Sequence, residues 1–429
     1  MSGSQHKLGW PMIAMLGVSI VIAGQFSGWN LGLAYGWKNM LVGTVIMFGF
    51  YIGFLQLVSE MGSTWPSAGG LAKFSTLAFG RLPGGLVNVS MAIALIAGTG
   101  IVSEFISAYG ESLLGLDSTL IKVLLFSAVL CLHLYGTKES MWVILIAGLI
   151  AVITLLIFSG VSLAHLDIRK LADDGSLSFH GVVQALPYAL WMFVGVEQAV
   201  TASEDARNPT RDIPMGLTLA IVVLVVTAAG VLVGAPSLAG ADALQSAGDP
   251  LLAALDVGGY SGLHTVIGLG AIFGLIASFF SLSYSASRQL FDLSRSQFFP
   301  SMFAQSTAKG IPARALWLVM AVGFGISFAP AESILLAMVV LFTGAYAVTT
   351  LAYLRLHRKE GATYRAYTAK GGVVCGYATL GLSATIFYAC FSTDMTTIFA
   401  FIVIFAAIIM YHLQARKTFP ASLRSPSSS

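Results

Sequence analysis

Residues 186–197 read Leu186-Pro187-Tyr188-Ala189-Leu190-Trp191-Met192-Phe193-Val194-Gly195-Val196-Glu197, and Glu204, Asp205 and Asp212 follow within a few turns. The stretch is apolar enough to sit in hydrocarbon, yet it carries a glutamate two residues after a glycine. A carboxylate at that depth is expensive and is a functional candidate by default. A span of this composition is expected to be interrupted, not continuous.

The rest of the chain agrees that hydrocarbon is the solvent. Of 429 residues, 57% are hydrophobic and only 10% are charged, and the mean hydropathy is +0.85. Soluble domains are nearer a quarter charged. The runs 40–57, 142–163, 217–235, 265–283, 333–354 and 397–413 are almost free of charge. Each is long enough, or nearly so, to cross about 30 Å of hydrocarbon. Met1–Lys7 leads into an apolar run too long for a signal-peptide core and without a small-residue cleavage site, so no cleavable signal is expected.

Hydropathy places about twelve helices, at 12–35, 39–59, 84–112, 119–136, 141–164, 182–203, 213–235, 258–286, 313–329, 332–354, 373–391 and 395–413. The fold class is therefore all-α integral membrane, as a single transmembrane domain over 1–429. An even count puts both termini on one side. With the termini cytoplasmic, only Lys38, Lys122, Arg169 and Lys170 of the 22 basic residues fall outside. That is the positive-inside pattern, and one missed span would scramble it. The connecting loops are short, and the Ser-rich end Ser425–Ser429 has the composition of a disordered tail.

A second interruption lies in the first span, where Met12–Ala23 runs into Gly24-Gln25-Phe26-Ser27-Gly28-Trp29-Asn30. Glycine permits the non-helical angles that unwinding needs, and Gln25 and Ser27 need polar partners there. The alternative is a packing patch, since small residues also serve helix–helix contact. Transport sites are often built where helices break, because the freed N–H and C=O groups become ligands. Breaks in the first and sixth spans, five helices apart, are what two inverted five-helix repeats would produce.

Several ordered motifs carry a family resemblance. Trp191–Glu197 resembles the sixth-span motif of the amino acid–polyamine–organocation permeases, and Ala202–Pro214 resembles the acidic-pair, Arg-Asn-Pro, Ile-Pro signature that follows it. Pro66–Gly70 with Ala78–Gly80, and Ser287–Leu290 with Leu293–Arg295 and Pro300, are similar to the loops after spans two and eight. The resemblance implies a leucine-transporter-type fold: repeat one at about 12–164, repeat two at about 182–354, and extra helices at about 373–413. It also implies alternating access without ATP and without a cofactor. Consistently, no Walker-type loop is present. In one respect the chain departs. Amino acid carriers of the family hold the substrate carboxylate on a compact Gly-small-Gly turn, whereas Gly24–Gly28 looks more like the ethanolamine-permease branch. The resemblance thus implies a small primary amine such as ethanolamine, with an amino acid as the alternative.

The resemblance also implies roles. The carbonyls of Phe193 and Val194, beside Gly195, would hold the amine, and Trp191 would cap it as an aromatic gate by cation–π contact. Phe26, Trp29 and Tyr188 would complete an aromatic box. Among residues read directly, Glu104 in the third span and Glu197 in the sixth are intramembrane carboxylates. Either contacts substrate or a coupling proton, or else Glu104 bonds a neighbouring helix and Glu197 ties down unwound backbone. Ser278, Ser281 and Ser283 either line a sodium site or pack between helices. Glu204, Asp205, Arg207 and Arg211 are expected as an inner-gate or loop-fixing salt-bridge cluster, not a substrate site. Cys131, Cys375 and Cys390 are expected as buried thiols, with no disulfide or metal spacing. Seven scattered histidines suit no membrane enzyme, and a transporter-like receptor would lack a signalling domain here. The expected partners are the solute, the bilayer and a proton, with no nucleic acid. No covalent accessory subunit is expected, since loop 111–119 has no cysteine.

Overall fold

The computed structural model describes residues 7–135, 137–172, 176–308, 310–359, 365, 367–395, 406, 409 and 410. Among these, every regular element is helical apart from one isolated bridge between Leu8 and Ala206. The principal helices are α1 Trp10–Val21, α2 Trp37–Thr64, α3 Gly70–Phe79, α4 Arg81–Leu114, α5 Ser118–Tyr135, α6 Thr137–Ala164, α7 Phe179–Trp191, α8 Pro209–Ala239, α9 Pro250–Gly258, α10 His264–Arg295, α11 Ala313–Ile326, α12 Ala331–Lys359 and α13 Gly372–Thr393. Nine described stretches are long and apolar enough to cross a membrane, and the shorter Trp10–Val21 and Ala313–Ile326 are apolar as well. The chain is thus a multi-pass membrane protein. The expected span 395–413 falls largely outside the described residues.

Where the helices differ from expectation, the reason is physical. α4 has 34 residues and α10 has 32, about 50 Å each at 1.5 Å per residue. Both exceed the hydrocarbon thickness, so their ends project into the polar layer. Hydropathy marks the membrane and not the helix, which is why the charged last turns of α10 at Arg288, Asp292 and Arg295 read as loop. The loops are also more structured than their length suggests. Within one of them α9 buries Leu251, Leu252, Ala254 and Leu255 completely. The cysteines are free, but only Cys390 is buried. Cys131 lies on an exposed face of α5, beside Leu124 and Leu132, where the solvent is lipid and an apolar thiol costs nothing.

Packing follows a pattern. α4 lies against α10, α2 against α8, and α5 against α11. Several further contacts come in matching pairs: α1 with α8 and α7 with α2, α4 with α12 and α10 with α6, α4 with α5 and α10 with α11. Setting α3 and α9 aside, exchanging the helices at 10–164 for those at 179–359 maps each of these contacts onto its mate, whereas α6 packs on α8 much more extensively than α12 does on α2.

A buried ionic cluster fastens α13's leading segment to the bundle. Glu60 of α2 is 1% exposed and is ion-paired to Arg365. It also accepts from Tyr353 Oη at 2.9 Å and from the Ala369 backbone N–H at 2.8 Å. Breaking a buried ion pair by removing one partner strands a charge in low dielectric. Arg365→Met is therefore expected to destabilise the protein by about 3 kcal/mol, read as a lower unfolding midpoint in detergent. Adding Glu60→Gln should recover part of that loss.

Candidate functional site

Both expected breaks exist, and they face each other. In the first span, α1 ends at Val21, a four-residue helical piece Ala23–Phe26 follows, and Ser27 and Gly28 are bent before a 3-10 segment Trp29–Tyr35. In the sixth, α7 ends at Trp191, residues 192–195 form a turn, and a 3-10 segment Val196–Asp205 continues. Gly28 and Gly195 stand at φ +91° and +99°, angles that a side chain resists.

At membrane depth the freed backbone groups must find partners inside the protein. Gln25 Nε2 donates to the Met192 carbonyl at 2.8 Å, and Trp191 Nε1 donates to the Ser27 carbonyl at 2.9 Å. Each break thus satisfies the other. The backbones are close: a Cβ on Gly24 would stand 2.7 Å from the Trp191 carbonyl oxygen. From α10, the Ser278 hydroxyl donates to the Ser19 carbonyl at 2.8 Å and accepts from the Ala23 N–H at 3.1 Å. It is inserted where the helical bond between those two groups would run.

A small pocket lies between the breaks, lined by Ile20, Val21, Gly24, Val102, Trp191, Val194, Gly195, Leu282, Met338 and Phe342 among others. It holds ≈ 10 Å³, about the room one water needs. A second cavity of ≈ 710 Å³ shares Ile20 with it and runs past Glu197 and Ser281 to Lys73, Arg81, Arg288 and Arg295. Along the first span, Leu8, Leu16 and Ile20 line the large cavity, and Ile20, Val21, Ala23 and Gly24 line the pocket. Beyond these, Ser27–Asn30 meet a lid. Ser27 Oγ donates to the Gly248 carbonyl at 2.8 Å, and Asn30 Nδ2 to the carbonyls of Leu244 and Ala247 at 2.8 and 2.9 Å. Tyr109 Oη donates to the Phe26 carbonyl at 3.1 Å. Ser112 is bonded to the Asp249 carboxylate, and burial holds that carboxyl above its ordinary pKa. α4 shows the same order, from Arg81–Met91 in the large cavity, through Val102 in the pocket, to Tyr109 and Ser112 at the lid. The site is sealed at the lid end and open at the end rich in basic residues.

The candidate residues fall into groups. Gly24, Trp191, Val194 and Gly195 line the pocket, whereas Gln25, Ser27, Gly28 and Phe193 belong to the two breaks but are not in its lining. Trp191 meets Phe105 edge-to-face, with ring centroids 6.2 Å apart, and a Cβ on Gly28 would stand 2.5 Å from its Nε1. Phe26 turns to Tyr109 and Gly274. Tyr188 lines neither cavity. It packs on Tyr35 at 5.8 Å and is bonded to Glu332, so Phe26, Trp29 and Tyr188 do not form one box around Trp191.

Both carboxylates have partners. Glu197 is fully buried and accepts from Tyr346 Oη at 2.9 Å and Gln198 Nε2 at 3.1 Å. It ties the broken span to α12, with its backbone at the inner edge of the pocket. Glu104 is ion-paired to Lys122, whose Nζ also donates to the Ser327 carbonyl at 3.0 Å. On α4, Gly98, Val102 and Phe105 face the pocket side, whereas Gly100, Glu104 and Ser107 face α5 and α11. The structure therefore does not bring Glu104 to the pocket.

Further differences concern groups seen only as isolated letters. Lys122, counted with the outer loop charges, is 4% exposed inside α5. A lysine four residues into an apolar run, one helix from a lone glutamate, was the available signal. The three serines diverge: Ser278 faces the first span, Ser283 bonds His133 at 2.9 Å, and Ser281 bonds its own helix while lining the large cavity. Among the described residues, Glu204, Asp205, Arg207 and Arg211 form no ion pairs with one another. The backbone fixes that loop instead, with Leu8 N–H to Asp205 O at 2.7 Å, Arg207 N–H to Leu8 O at 2.9 Å, and Arg207 Nε to Lys7 O at 2.9 Å.

Comparison with known proteins agrees with this architecture. Over 311 residues the chain is 28% identical to an uncharacterized transporter of Rhizobium meliloti (strain 1021), covering 69% of this chain and 66% of that one. It is 23% identical to the branched-chain amino acid permease of Bacillus subtilis (strain 168), over 96% of this chain and 94% of the relative. It is 24% identical to the methylthioribose transporter of the same organism, over 81% and 80%. Residues 9–420 match the family described as amino acid permease. With paired breaks enclosing a pocket and a match along almost its whole length, the chain belongs to the amino acid permease family.

Proposed function

We propose that this chain is a secondary transporter that carries a small amine-bearing solute across the cytoplasmic membrane by alternating access. The observation that carries the proposal is the pair of facing helix breaks around a pocket, sealed at one end and reached by a cavity of ≈ 710 Å³ at the other. The paired helix contacts support two inverted five-helix repeats, with α13 and the following segment added. In that reading the termini and the cavity mouth face the cytoplasm, and Lys73, Arg81, Arg288 and Arg295 at the mouth fit the positive-inside rule. The pocket at ≈ 10 Å³ is too tight for a solute, so loading it requires the breaks to part.

Two substrate classes compete. Ethanolamine fits the Gly24–Gly28 stretch, which lacks the compact turn that would hold a carboxylate. An amino acid with an apolar side chain fits the wall of Val21, Val102, Leu282, Met338 and Phe342, and a full-length relative is named a branched-chain amino acid permease. In either case the pocket presents backbone dipoles and an aromatic ring, with the amine near the carbonyls of Phe193 and Val194 and under Trp191. Glu197, bonded to Tyr346, holds the moving inner half of the break and is the candidate for a coupling proton.

Ligand-induced stabilisation separates the classes, because a ligand that binds the folded state raises its stability by mass action. Purified protein should be stabilised by ethanolamine or by leucine and alanine, with matching uptake into proteoliposomes. No shift and no uptake with ethanolamine, alanine, leucine, arginine or agmatine would sink the transporter proposal. Gly28→Ala places a Cβ at positive φ against Trp191. That costs the sealed state about 1–2 kcal/mol, or about ten-fold in uptake rate if sealing limits the cycle. Gly49→Ala, with nothing near its Cβ, should transport normally. A cysteine at Ser285, which lines the large cavity, should react with a membrane-impermeant thiol reagent from the cytoplasmic side. Labelling from the outside alone would reverse the orientation.

A further inference from the structure

Gln25 carries one hydrogen-bond capacity that the fold leaves unused. Its side chain is fully buried in the first break. The bond from Nε2 to the Met192 carbonyl at 2.8 Å orients the amide, with nitrogen toward the second break. The oxygen Oε1, equally buried, has no hydrogen-bond partner. Buried acceptors without partners are exceptional in folded proteins and call for an explanation. Neighbouring positions locate this one. Gly24, the preceding residue, lines the small pocket, although Gln25 itself does not. The carboxamide lies in the first break beside the pocket, held by the second break.

The acidic groups that would ordinarily attract an ammonium are already engaged. Glu197 accepts from Tyr346 and Gln198, and Glu104 is paired to Lys122 on the far side of α4. A lone, pre-oriented acceptor suits a group that only donates, and an ammonium has three donors and no acceptor. We infer that Gln25 Oε1 accepts a hydrogen bond from the substrate's ammonium group and is the residue that selects an amine over its oxygen analogue. This rests on the transporter reading above. It also assigns the break a specific arrangement: Nε2 stitches the two spans, and Oε1 reads the solute when they part. Because the acceptor is a neutral dipole, the amine can leave again without breaking an ion pair.

The test compares matched ligands. L-leucine and 2-hydroxy-4-methylpentanoate differ in the amine, as do ethanolamine and ethylene glycol, and replacing the amine by hydroxyl exchanges a charged donor for a weaker neutral one. Binding by wild type, Gln25→Met and Gln25→Glu is measured by ligand-induced thermal shift and by competition for uptake. Met matches the shape without an acceptor, and Glu keeps an acceptor. The expected result is an amine preference in wild type that falls about ten-fold or more in Gln25→Met and persists in Gln25→Glu. If Gln25→Met weakens both members of a pair equally, Gln25 only stitches the breaks and the inference is overturned. If wild type binds neither pair, the transporter reading falls with it; if wild type binds and Gln25→Met keeps the preference, only this inference falls.

Discussion

Every feature of the site depends on one constraint: a backbone that leaves the helix inside hydrocarbon must have its N–H and C=O groups paired within the protein. Here each break is the other's principal partner. Gln25 donates to Met192, and Trp191 donates to Ser27. Ser278 occupies the gap opened between Ser19 and Ala23. Asn30 carries the pairing outward to the carbonyls of Leu244 and Ala247. Two interruptions that would each be costly alone become one stable unit. The small pocket lies beside that unit, with Gly24, Trp191, Val194 and Gly195 in its wall.

The same low dielectric governs the charges. Glu60 with Arg365 and Glu104 with Lys122 form pairs, and Glu197 is shared between Tyr346 and Gln198. None of these acids lies open in the pocket. The small pocket is instead walled mainly by aliphatic and aromatic side chains with backbone of the two breaks. The long helices α4 and α10 pack on each other beside the breaks. The lid at Ser27–Asn30 and the large cavity at the opposite end describe a state sealed on one side and open on the other.

Several of these elements are legible in the letters. Gly24 and Gly28, around polar Gln25 and Ser27, mark the first break, and Gly195 before Glu197 marks the second. These are local signals, since glycine and buried polarity are unusual in an apolar run. Partnership is not local. Nothing near Glu104 reveals that it faces Lys122 and not the pocket, because that depends on a rotation of about 200° between positions 102 and 104 of one helix. Nothing near Glu204–Arg211 reveals that the backbone of Leu8, nearly 200 residues away, fixes the loop. Phe26 and Tyr188 make the same point: both are near in sequence to the breaks, but Phe26 turns to Tyr109 and Tyr188 to Tyr35 and Glu332.

By itself, the sequence determined the solvent, the class of fold, the approximate spans and the two places where the helix would break. Each of these follows from hydropathy, length and glycine content within a window of about twenty residues. Only the tertiary structure decided which side chains meet in the pocket, which carboxylates are spent on structure, and which end of the site is open. Those outcomes depend on helix rotation and on contacts between segments more than 150 residues apart, such as Gln25 with Met192 and Ser19 with Ser278. No local pattern encodes them.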